Sequence, residues 1–475
     1  MSLYLECIDI REYEYMVNPI IFVGGVFLAI LTYFALCIRM YNNKRLQMID
    51  WFLLSLATFT GLGFAFIYIT TSRGLNSLFW QQYINMYDNS TAIIYLLSSV
   101  LLGLSSLFGW IFIKSVKNRN AIEKLKYNLN DIKFNRYIKK IRHLAWILLI
   151  IAITSYALYS NVYGGFIGLL NHSIAIRSGT VTIYNPFSFL RNFGSFSFFS
   201  SFIFFGLLID KSVDKRNRKC CLLGYIMALG FSIYVLYSLA GRVSALIFIT
   251  TFILGYILYN YKSIVKLIKG LALLAIILPA SLIGIDRILG RSNQSIGMIK
   301  LFVKELSFPF ASYIVQFGQH NYRLFKDVFV APLFILPQRI WSGILNIEVA
   351  SSYNTYIFYG ARKGEAGVTG SIPVDMLTFA NMQASVIGVV IVGLLWGGLL
   401  YFLENLCGRI PLNGVRQLIY ANLVLNVALL SVLYGDPQHI VIRNFAMIIG
   451  ITSLMIYLKC KLSKVVKREK VTDDI

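Results

Sequence analysis

The side chains in this 475-residue sequence best suited to chemistry are arginines set in apolar surroundings. A guanidinium is a planar, permanently charged fork that can bind phosphate or pyrophosphate oxygens two at a time. Arg242 is the sharpest case, placed among small residues in Ser238-Leu-Ala-Gly-Arg-Val-Ser-Ala-Leu246. The small neighbours let the backbone pack closely while the charge reaches the outer surface; the competing reading is an interfacial arginine stretching to water. Arg177, in Asn171-His-Ser-Ile-Ala-Ile-Arg-Ser-Gly179 ahead of Pro186, is either an anion ligand or a solvated loop charge. Arg191 and Arg443 fall just inside apolar stretches. A charge there is costly and faces a cavity or a partner unless it snorkels out. Arg287 and Arg291 follow directly on another apolar stretch, within reach of an anionic headgroup or an anionic substrate.

Two groups stand out as proton acceptors. Glu305, in Lys304-Glu-Leu-Ser-Phe308, is a carboxylate amid apolar residues, where partial burial favours general-base chemistry. Pairing with Lys304 or Arg291 is its plainer role. His320 lies close to Arg323, and the two can serve the same anionic site, His320 as base and Arg323 as ligand. Asp436 and His439 share a tight turn, where a turn-forming aspartate is the simpler account.

The elements that must position these groups are membrane spans. The chain is 57% hydrophobic and only 14% charged, with a mean hydropathy of +0.68. A hydrocarbon core of about 30 Å needs about 20 helical residues to cross it. Apolar stretches of that size lie near 19–38, 51–70, 92–113, 144–161, 187–209, 220–239, 243–260, 269–285, 382–403, 417–434 and 439–458. The expected fold is therefore an all-α polytopic bundle of about eleven spans. The first stretch lacks a small-residue cleavage site and reads as a span.

The net charge of +23 is distributed as membrane insertion requires. Lysine and arginine collect in alternate short loops, at 39–50, 114–143, 210–219, 261–269 and 404–416, and in the tail 459–475. The N-terminal segment 1–18 carries Glu6, Asp9, Glu12 and Glu14 against Arg11 alone. These patterns place the N-terminus outside and the C-terminus in the cytoplasm, and they displace a nucleic-acid reading of the charge. Residues 286–381 form one large outer loop between a first bundle, 1–285, and the last spans and tail, 382–475. Its aromatic residues and Pro309, Pro332, Pro337 and Pro373 predict a folded segment of short pieces. Apolar residues at helical spacing over Ile296–Phe317 predict an amphipathic helix on the membrane surface. Gly393, Gly397 and Gly398 predict close helix packing in their span.

Familiar soluble signatures are missing. No phosphate-cradling glycine loop with lysine, no His-Glu-x-x-His and no Gly-x-Ser-x-Gly occurs, which disfavours an ATP-driven pump, a zincin protease and a hydrolase of that kind. Cys7, Cys37, Cys220, Cys221, Cys407 and Cys460 have no zinc-ligand spacing and read as structural. No cofactor is expected.

The layout resembles the bacterial O-antigen polymerases, the Wzy-type enzymes that join oligosaccharide repeat units. Ala240-Gly-Arg-Val-Ser-Ala-Leu-Ile is similar to the family's small-residue and arginine motif opening a span. The large outer loop comes late in the chain, as in that family. Glu365-Ala-Gly-Val-Thr-Gly-Ser-Ile-Pro, running through Ala380-Asn into the span with Gly388, Gly393 and Gly397, is similar to the family's glycine-rich exit from the loop. The resemblance implies a GT-C-like membrane glycosyltransferase in the bacterial inner membrane. Its donor would be a glycan on undecaprenyl pyrophosphate and its acceptor a single lipid-linked repeat unit, with inversion and without metal. Membrane lipids and a chain-length regulator are the implied partners. The competing readings are an O-antigen ligase and a flippase-type transporter. Under any catalytic reading, Arg177, Arg242 and Arg291 are expected to converge on one outer cavity.

Overall fold

The computed structural model describes residues 19–43, 46–66, 89–119, 131–178, 183–239, 241–260, 269–270, 309–319, 321–368 and 370–457; the side chains at several helix ends, that of Arg242 among them, lie outside this set. Among the described residues there is no strand. Eight helices among the described residues are long and apolar enough to cross a membrane, and the protein is a multi-pass helical bundle.

The first helices are α1 (Pro19–Asn43), α2 (Met48–Phe66), α3 (Asn89–Arg119), α4 (Asp131–Asn161) and the shorter α5 (Gly165–Ser178). A 3-10 segment, Ser188–Ser195, leads into α6 (Phe196–Ile209), followed by α7 (Lys215–Ser238) and α8 (Arg242–Tyr259). The late loop contributes α9 (Lys326–Val330) and α10 (Ala350–Tyr359). The chain returns through α11 (Met376–Gly408) and α12 (Asn413–Leu423), then through α13 (Pro437–Arg443) and α14 (Phe445–Tyr457), which form a pair bent by 59°. Helices occupy most of the described parts of the expected stretches from 19–38 to 243–260 and from 382–403 to 439–458. The expected span 269–285 lies outside the described residues beyond its first two positions.

Small residues set the tightest contact. α11 packs against α3 so closely that a Cβ on Gly397 would sit 1.9 Å from the Ser106 carbonyl oxygen. Such approach is how apolar helices gain dispersion energy in a solvent as apolar as themselves. Capping explains where two helices begin. Asp375 caps α11 by accepting from Thr378 N and Thr378 Oγ1. Asp436 caps α13 by accepting from Gln438 N at 2.9 Å, with Pro437 pre-set for the first turn.

α11 is not continuous. Ala384 and Ser385 leave helical geometry, and Ser385 takes φ 54°. The break frees carbonyls that the late loop satisfies: Arg323 N donates to Met382 O at 2.8 Å, and Leu324 N to Gln383 O at 3.0 Å. Gln383 Nε2 donates to Asp327 Oδ2 at 3.2 Å, tying the same two segments by side chain. At the fold-back a Cβ on Gly388 would meet Ala380 O at 2.2 Å, so this position needs glycine.

The described parts of the basic stretches 39–50, 114–143, 210–219 and 404–416 meet at one end of the bundle. Arg39 Nε binds Asp50 at 2.6 Å, and Met48 N donates to Glu404 Oε2 at 2.8 Å. Gly414 N donates to Asp210 Oδ2 at 2.9 Å, and Arg142 reaches Asn217 at 3.5 Å. The late loop packs at the opposite end.

The surface helix expected over Ile296–Phe317 takes a different position where it is described. Residues 309–317 are helical, and Phe310, Ala311, Tyr313 and Ile314 are buried in the main core, against Phe64 and Tyr95. Over 309–317 the apolar side chains found a protein partner in the bundle.

Candidate functional site

A cavity of about 830 Å³ opens between the late loop and the end of the bundle opposite the basic loops. Its walls come from parts of the chain far apart in sequence. The 3-10 segment supplies Arg191, Asn192 and Ser195; α6 and α8 supply Phe198, Phe202, Ile247 and Phe248. The late loop supplies Trp341, Glu348, Arg362 and Lys363; α12 supplies Asn422, the π-helical turn after it (Val424–Leu429) supplies Asn426, and α13 supplies His439 and Arg443.

The cations are graded by depth. Arg191, Arg362 and Lys363 are exposed at the mouth, and Arg443 is half-buried further in. Arg362 is occupied by Glu348, with Nη2 3.0 Å from Oε1. The other described ion pairs, Arg39–Asp50 and Arg323–Asp327, lie outside the cavity walls, so Arg191, Lys363 and Arg443 have no carboxylate partner among the described residues. Desolvation first, and then the nearby charges of Arg191 and Arg177, hold the Lys363 ammonium below the usual lysine range. A cluster of like charges is unfavourable until an anion enters it.

The Arg443 guanidinium lies 4.8 Å from the centre of the Tyr434 ring. One turn earlier on α13, the His439 ring stacks on the same tyrosine, 5.9 Å away and 7° from parallel. Tyrosine thus fixes both groups on one helix face, the i and i+4 positions. His439 Nδ1 is buried without a hydrogen-bond partner. Asn426 Oδ1 is in the same state, although Asn426 Nδ2 donates to Asn422 Oδ1 at 3.0 Å. Unsatisfied buried polar atoms are rare and costly, and here three of them, Trp341 Nε1 included, belong to residues that line one cavity.

The residues singled out from sequence distribute as follows. Arg191 and Arg443 come together in the cavity. Arg177 ends α5 with its side chain exposed and outside the cavity wall; its carbonyl accepts from Lys363 Nζ at 2.9 Å. Arg323 also stays out of the wall. Its guanidinium grips Asp327 at 2.6 and 2.8 Å and the Glu348 carbonyl at 2.5 Å, so it holds Glu348 at the rim. Leu239 and Ser244 flank the Arg242 turn and line the cavity, but the Arg242 side chain is outside the described set. Arg287, Arg291, Glu305 and His320 lie outside the described residues, so the convergence expected of Arg177, Arg242 and Arg291 falls largely there.

No family model, curated protein or solved structure matches this chain. The site therefore stands on its own geometry. Sequence reasoning passed over Lys363, Glu348, Asn422, Asn426 and the cavity position of His439. Asn422 and Asn426 carried a signal: two amides four apart inside an apolar span. His439 and Arg443, at the same spacing, carried another.

The arrangement suits an amphipathic anion. Three cations without carboxylates can hold phosphate oxygens, with Arg443 offering a fork already set by its tyrosine. Phe198, Phe202, Ile247 and Phe248 give one apolar wall. An imidazole in the cavity wall, that of His439, can take a proton from a hydroxyl that reaches it. Among the described residues, no group of three His, Cys, Asp or Glu is placed to hold a metal.

Proposed function

We propose that this chain is a membrane glycosyltransferase that polymerises oligosaccharide repeat units carried on undecaprenyl pyrophosphate into a surface polysaccharide. The observation that carries the reading is the meeting of Arg191, Lys363 and Arg443, with no carboxylate partner among the described residues, in a cavity that His439 also lines. The segregation of the basic loops to the opposite end supports an active face on the outer side of the inner membrane, with the N-terminus outside and the C-terminus cytoplasmic.

The acceptor hydroxyl attacks the anomeric carbon of the donor glycan. The new carbon–oxygen bond forms as the bond to the diphosphate breaks, and the electron pair leaves on the diphosphate. Charge grows on that group in the transition state, where Arg443, Arg191 and Lys363 stabilise it more than in the ground state. The hydroxyl proton passes to His439. Attack from the face opposite the leaving group inverts the anomeric centre.

The test is lengthening of a lipid-linked repeat unit by the purified protein in detergent. Products with added repeat units and release of lipid diphosphate are expected. Transfer only to a lipid A core acceptor would replace polymerase by ligase, and an unchanged substrate that nevertheless crosses proteoliposome membranes would replace both by transport.

A further inference from the structure

Residues 322–345 combine a committed back and an uncommitted front. On the back, Phe334 and Trp341 are buried with Ile347 against Val441 of α13. Backbone bonds from Arg323 and Leu324 fix the beginning of the segment to the break in α11. The segment therefore cannot roll over to hide its other face. That face presents Leu324, Phe329 and Ile344, which are 71%, 80% and 77% exposed, with Leu336 and Leu345 beside them. Water would make this an expensive surface.

Charge identifies what covers it. The segment has four charged residues, and two of them, Arg323 and Asp327, are bound to each other. The remaining two are Lys326 and Arg339, both exposed and both positive. Arg339 lies 4.5 Å from the ring of Tyr184, and exposed Tyr184 and Ile183 continue the apolar surface toward the 3-10 segment. Bulky apolar side chains with flanking cations and no exposed acid are the composition of an interfacial membrane anchor.

We infer that residues 322–345 lie in the interface of the membrane leaflet at the cavity end, with Phe329 and Ile344 below the headgroups and Lys326 and Arg339 on anionic lipid. Trp341 and Ser342 belong to the same segment and line the cavity. The cavity mouth then sits at headgroup depth, where the diphosphate of a membrane-held substrate resides. That last consequence rests on the function proposed above; the depth of the segment does not.

The test uses the full chain in nanodiscs, its six native cysteines replaced, with single spin-labelled cysteines at Phe329→Cys, Ile344→Cys and Glu365→Cys. Burial ~5–10 Å into the headgroup and acyl boundary should favour relaxation by oxygen over a nickel chelate by about threefold or more at Phe329→Cys and Ile344→Cys. Glu365→Cys, exposed in the turns after α10, should show the reverse. Nickel dominance at both apolar positions overturns the inference. Inaccessibility to both reagents overturns it too, because protein, from this chain or a second copy, would then cover the face. The double change Lys326→Gln with Arg339→Gln should make both labels shallower in phosphatidylglycerol nanodiscs only. An equal response in phosphatidylcholine overturns the anionic-lipid part. Should the cysteine-free chain fail to fold, a photoreactive phospholipid applied to the native chain should label peptides within 322–345, and absence of label there counts against the inference. None of these readouts involves turnover, so they fail or succeed independently of glycosyl transfer.

Discussion

The two ends of the bundle treat charge in opposite ways. At the basic-loop end, the acids do structural work. Asp50 takes Arg39 and the Gln47 amide, Asp210 takes the Gly414 amide and the Ser212 hydroxyl, and Glu404 takes the Met48 amide. At the cavity end, Arg191, Lys363 and Arg443 have no such partner among the described residues, and His439 and Asn426 have buried atoms left open. Trp51 Nε1, beside Asp50, is buried without a partner as well, so the contrast between the ends lies in where the acids bind. The contrast argues that an anionic ligand is favoured there, most of all beside half-buried Arg443, whose charge no carboxylate offsets among the described residues.

The contrast can be broken by mutation, and the largest effect should come from the imidazole. His439→Gln keeps a polar side chain on α13 but removes the base, and transfer should fall about 1000-fold with the acid limb of the pH profile lost. Retained activity with an unchanged limb would transfer the role elsewhere. Arg443→Lys preserves the charge and removes the fork; a loss of about 100-fold in kcat is expected, with normal membrane insertion. Near-normal kcat would reduce Arg443 to a general cationic presence.

The basic end should respond in the other currency. Arg39→Ala strands Asp50, which is 1% exposed, and should lower stability by about 2 kcal/mol while leaving kcat intact. A kcat loss matching that of Arg443→Lys would dissolve the distinction between the ends. The smallest effect is at the mouth. Lys363→Gln should weaken substrate binding about tenfold. Because desolvation and then Arg191 and Arg177 lower the Lys363 pKa, wild-type binding should fall on the alkaline side earlier than an ordinary lysine allows. Lys363→Arg should move that limb upward, as seen in KM against pH.

Much of the bundle was legible because span length follows from bilayer thickness. Gly397 announced its contact with α3, and Pro332 and Pro337 marked short pieces of the late loop that the structure shows. The surface helix expected over 296–317 misled in its described part, because an apolar stripe does not say whether lipid or protein will cover it. At 309–317 protein does, and the exposed apolar face belongs to 322–345 instead. The break at Ala384–Ser385 left no proline as a marker, since the late loop stabilises it from outside. The site was harder still. Arg191, Lys363 and Arg443 share no motif, and only helix packing brings them to one cavity. His439 was hidden by Asp436 and Pro437, whose turn chemistry is real and dominates that short stretch.

The join between the late loop and α11 has a mechanical consequence. Two amides of the loop act as a splint on a fractured transmembrane rod, so straightening the rod must pull the splint away, and lifting the splint must leave the fracture unsupported. Any ligand that shifts the rim formed by Glu348, whose carbonyl is held by Arg323, therefore loads the rod as well. Occupancy at the membrane surface and the bend angle within the bilayer become a single degree of freedom.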